Sequence, residues 1–154
     1  MFGKRVGDYL GFQKVFLALM AAVGLARLVV SLAGAPDAQA QWLSMTAVAL
    51  AGALYYGVAV HTRGFGGYKQ LLPLVLFQGL LLNGIAVLGI LLAIAGRRNI
   101  YGVSEYSGPF GERQWPHVLG HMTIGVIVPT LITWGIACLV LLITKRVARR
   151  PLPA

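Results

Sequence analysis

Four uninterrupted apolar runs constrain this chain more than any other feature. Each is long enough to cross about 30 Å of hydrocarbon, which takes about 20 helical residues. They cover roughly residues 15–35, 42–60, 70–96 and 116–144. None alternates in polarity as a barrel strand would, so helices are expected. The first run resembles a signal peptide at its flanks, with Lys4, Arg5 and Lys14 before it and Ala38-Gln39-Ala40 after it. Its apolar stretch is longer than a signal core and is interrupted by Arg27, so it reads as a membrane span. The expected fold is all-α: an integral membrane four-helix bundle running up, down, up, down. A short outer loop covers 97–115, and a basic tail covers 145–154.

Composition supports a single membrane domain. Of 154 residues, 58% are hydrophobic and 11% charged, against about 25% charged in soluble domains. A water-exposed surface cannot be built from this stock. The net charge of +9 raises nucleic acid as a partner, but the basic residues stand at the ends of the apolar runs, as topology signals do. The expected partners are the lipid bilayer and other membrane subunits, or further copies of this chain, and not nucleic acid. Cys138 is the one cysteine; this excludes an internal disulfide and a cysteine-rich metal site.

Counting Lys and Arg in the loops sets an expected orientation. Lys4, Arg5, Lys14, Arg63, Lys69, Lys145, Arg146, Arg149 and Arg150 fall on one side, and Arg97, Arg98 and Arg113 on the other. Both termini are then cytoplasmic, in a bacterial inner membrane. Lys145, Arg146, Arg149 and Arg150 would face anionic lipid or an acidic partner, at about 1 kcal/mol each. The connection from Thr62 to Tyr68 is glycine-rich and reads as a tight hairpin. Trp42, Tyr101 and Trp115 suit an outer aromatic belt, and Tyr9 and Tyr68 an inner one.

Three groups of residues could carry chemistry. The first is Arg27, about 18 Å into the layer when counted from Val15 and therefore slightly past its midplane. Asn83 and Thr123 fall at similar depth, so a polar layer of Arg27, Asn83 and Thr123 is expected, either as interhelical glue or as an ion site. The second is a polar level nearer the cytoplasm: Tyr55, Tyr56, Gln78, Thr130 and Thr133, beside Pro129, which frees a backbone carbonyl. Tyr55 and Tyr56 project about 100° apart, so one faces inward and the other outward.

The third group is His117 and His121, on one face of helix four at i and i+4. With Glu105 and Glu112 in the loop before them, their neutral nitrogens could bind zinc or a similar divalent ion. The motif lacks the helical glutamate of His-Glu-x-x-His. Haem within one chain is not expected: His61 ends helix two about 25–30 Å away, and one helix face cannot supply opposite axial ligands. Apart from that divalent ion, no cofactor is expected.

No nucleophilic triad, phosphate loop or paired intramembrane carboxylate is present, and all four acids fall outside the expected spans. The function expected from the sequence is therefore a non-catalytic accessory or scaffold subunit of a larger membrane assembly. The first alternative is a homo-oligomeric channel or small-solute transporter using Arg27. The second is an outer-face metal-binding membrane protein using His117 and His121.

Overall fold

Helices α1 (Val6–Leu32), α3 (Met45–Thr62) and α4 (Tyr68–Gly96) run nearly the full length of the bundle. The fourth span is α5 (Gln114–Met122) followed by α6 (Ile124–Ala148), and a single turn, α2 (Asp37–Ala40), precedes α3. The computed structural model describes residues 1–96 and 114–148. All of its regular elements are helical, and four segments are long and apolar enough to cross a membrane: Val6–Leu32, Asp37–Thr62, Tyr68–Gly96 and Trp115–Ala148. The expected outer loop lies outside the described residues, apart from the two that open α5.

The spans are apolar on every side, as a membrane solvent requires. Outward-facing side chains such as Val15, Val29 and Ile124 are 63–70% exposed. Helices α3 and α4 form the centre, and α1 and α6 each pack against both. Helices α3 and α6 approach closely at Gly57, where a Cβ would lie 2.6 Å from Val140 and 2.8 Å from the Ala137 carbonyl. Only hydrogen there lets α3 and α6 meet backbone to backbone.

The two ends differ. At the basal end, Gln70 Nε2 donates to Phe2 O (3.0 Å), Lys4 lies 4.5 Å over the Phe65 ring, and Lys145 lies 4.5 Å over Tyr68. The α3–α4 turn closes there through Gly64 (φ +62°) and Gly66 (φ +155°), positions where a side chain would be strained. Among the described residues this end carries Lys4, Arg5, Lys14, Arg63, Lys69, Lys145 and Arg146 against Asp8. The apical end carries Arg27 and Asp37.

The basal half is a packed aromatic core. Phe12 stacks on Phe65 at 3.9 Å, Tyr9 meets Phe65 edge-on, and Tyr56 packs against Phe12 and Phe16. Val60, Leu71, Leu74, Ala137 and Leu141 fill the remaining space.

Several boundaries differ from the sequence reading. Helix α1 begins nine residues before Val15, because Asp8 Oδ2 accepts from the Arg5 N–H (2.7 Å) and organises the first turn. Asp8 therefore lies inside a spanning helix, though in its first turn. Tyr9, expected in an aromatic belt, is fully buried with its hydroxyl donating to Met1 O. Tyr68 remains exposed.

Candidate functional site

Pro129 is the starting point of the apical site. Lacking an N–H, it leaves the carbonyl four residues earlier, that of Gly125, without its helical donor. Asn83 of α4 fills that vacancy: its Nδ2 donates to Gly125 O and to Gly79 O, both at 2.9 Å. Gly125 admits the amide, since a Cβ there would lie 2.8 Å from Asn83 Oδ1.

Two donated hydrogen bonds orient the amide completely, so Asn83 Oδ1 must accept. It faces His121 Nδ1 at 2.8 Å, and that nitrogen therefore carries the ring proton. The Nε2 lone pair of His121 then points at His117 Nε2, 3.1 Å away. Asn83 is 4% exposed and both rings are half-buried. A proline thus fixes, through Asn83, the tautomer of a histidine about two turns before it.

His117 and His121 line a cleft of about 260 Å³ together with Arg27, Asp37, Thr46 and Leu82. Arg27 Nη2 lies 3.3 Å from Asp37 Oδ1. A second, largely apolar groove of about 460 Å³ runs down between α3, α4 and α6, lined by Gln78, Asn83, Thr130 and Thr133 among others. Thr46, Leu82 and His121 line both spaces, so His121 stands between the apical cleft and the groove.

Arg27 is not at the middle of its helix. With α1 starting at Val6, it lies about 32 Å along a helix of about 40 Å, near the apical edge, where it reaches Asp37. Thr123 is exposed and donates to Leu119 O of its own segment at 2.6 Å. The expected layer of Arg27, Asn83 and Thr123 is therefore not formed; Asn83 joins His121 instead.

The second expected level also divides. Tyr56 is buried and Tyr55 is 37% exposed, as their angular separation requires. Tyr56 belongs to the aromatic core and Tyr55 lies on its outer edge against Phe16, whereas Gln78, Thr130 and Thr133 line the groove. Thr133 donates to Pro129 O at 2.7 Å. Gln13 was missed by the sequence reading: it is fully buried and accepts from Gln78 Nε2 at 3.4 Å.

His61 is exposed in the last turn of α3, at the basal end. Glu105, Glu112, Arg149 and Arg150 lie outside the described residues, while Lys145 and Arg146 are in the last turn of α6. Among the described residues, no three His, Cys, Asp or Glu side chains converge as a metal-binding group.

The fold and this cleft define a multi-pass helical membrane protein with a polar cleft at its apical end. Compared with known proteins, the chain matches no family model, no curated protein and no solved structure.

Proposed function

We propose that this chain is a non-catalytic subunit of a larger membrane assembly, held in a bacterial inner membrane with its basal end and both termini in the cytoplasm. The observation that carries this reading is the closed basal half. Below the half-buried His121, the buried polar groups Asn83, Gln78, Gln13 and Thr130 give way to the stack of Tyr9, Phe12, Phe65 and Tyr56. A hydrophilic solute entering the apical cleft meets packed aromatic rings, not a path across the bundle. The Arg27–Asp37 pair at the apical edge also weakens the channel alternative, which needed Arg27 deep inside. The seven described basic residues at the basal end support the orientation through their attraction to the anionic inner leaflet.

Reconstitution tests the reading. Vesicles holding the purified chain alone should conduct ions and small solutes no faster than protein-free vesicles. Sustained flux that Arg27→Ala abolishes in a folded protein would favour the homo-oligomeric channel instead.

A further inference from the structure

The apical histidines hold their Nε2 atoms at the separation that a metal chelate needs. Two imidazole nitrogens bound to one tetrahedral ion at about 2.05 Å stand about 3.3 Å apart, and the Nε2 atoms of His117 and His121 are 3.1 Å apart. The i, i+4 spacing on α5 holds both rings on one helix face. A metal-ligating histidine characteristically donates its other ring N–H to a carbonyl or carboxylate, which fixes its orientation and raises its basicity. His121 does this through Nδ1 to Asn83 Oδ1 at 2.8 Å, and Asn83 is itself fixed by the carbonyls of Gly79 and Gly125. The chelate is thus preorganised by a buried side chain on another helix. It also opens to the 260 Å³ cleft, through which an ion and its waters can enter.

We propose that His117 and His121 bind one exchangeable divalent first-row transition metal ion through their Nε2 atoms. Imidazole favours zinc, nickel and copper over calcium and magnesium, whose preferred ligands are oxygens. With two protein nitrogens, the remaining positions belong to water or another small ligand, so the ion exchanges with the medium. Binding replaces the proton shared between the two Nε2 atoms: His121 keeps its Nδ1 proton, and His117 moves its proton to Nδ1. This inference is independent of the accessory-subunit reading, which stands or falls on partners, not on metal.

The test is calorimetric titration of the full-length chain in detergent micelles, stripped with chelator, with zinc chloride and with calcium chloride. Saturable uptake of one zinc per chain is expected, with no calcium uptake. His117→Gln and His121→Gln should each weaken zinc binding at least about tenfold, and Asn83→Ala about 10–100-fold. His61→Gln, at the opposite end, should titrate like the wild type. Circular dichroism identifies the variants that remain helical, and the two single glutamine variants give independent readings if one fails to fold. Zinc uptake by the double variant His117→Gln/His121→Gln equal to that of the wild type would overturn the proposal. So would the absence of saturable uptake by the folded wild type.

Discussion

Asn83 joins three facts that look unrelated in the sequence: a proline within a helix, a glycine one turn before it, and a histidine pair. Truncating it leaves the half-buried Gly125 carbonyl without a donor, at a cost of about 1–3 kcal/mol. The same logic predicts a coupling. In a Pro129→Ala background the restored N–H can satisfy Gly125 O, so Asn83→Ala should cost about 1 kcal/mol less there than in the wild type. Thermal or denaturant unfolding of the four proteins in one detergent measures this cycle. Equal costs in both backgrounds would show that Gly125 O is not the group that Asn83 serves. The freed carbonyl itself was legible in the sequence, because proline always produces one. Its partner was not, since depth counting ranks Asn83 beside Arg27 and Thr123 but carries no information about which way each side chain turns.

At the scale of the helices, errors in the sequence reading came from one place, the start of α1. Counting the first span from Val15 puts Lys14 outside the membrane and Arg27 too deep, and passes over Gln13. The helix in fact continues through Lys14, whose charge lies 13 residues from Arg27, about 20 Å. Side chains of this length at these two positions are able to reach opposite interfaces by snorkelling. Tyr9, Gln13, Met20, Gly24 and Leu28 recur at spacings of four and seven, and that inward stripe was the signal available to find Gln13. Four spans and their alternation were readable because span length is dictated by bilayer thickness, whereas helix contacts depend on shapes that apolar runs do not encode. One contact is decisive enough to test. Gly57→Val should push α3 from α6 against Val140 and the Ala137 carbonyl, destabilising the bundle by about 1–3 kcal/mol. Gly84→Val, where a Cβ meets nothing within 4 Å, should change the melting temperature little. Equal melting temperatures for the two variants would deny the close α3–α6 approach.

For the whole molecule, orientation and company are the open quantities. Cys138 is the sole cysteine, so a Cys138→Ser background allows single-site labelling of intact cells. Gln39→Cys on the apical turn should react with a membrane-impermeant maleimide, and Lys69→Cys at the basal end only after the membrane is permeabilised. The opposite pattern would invert the molecule and remove the inner-leaflet role of Lys145 and Arg146. The proposal that matters most is that this bundle works as part of something larger. Its most direct test is the native mass of the particle gently extracted from its own membrane, with every accompanying chain identified. A particle heavier than this chain is expected, containing other membrane proteins at fixed ratio. A particle built of this chain alone, above all a symmetric ring, would contradict it.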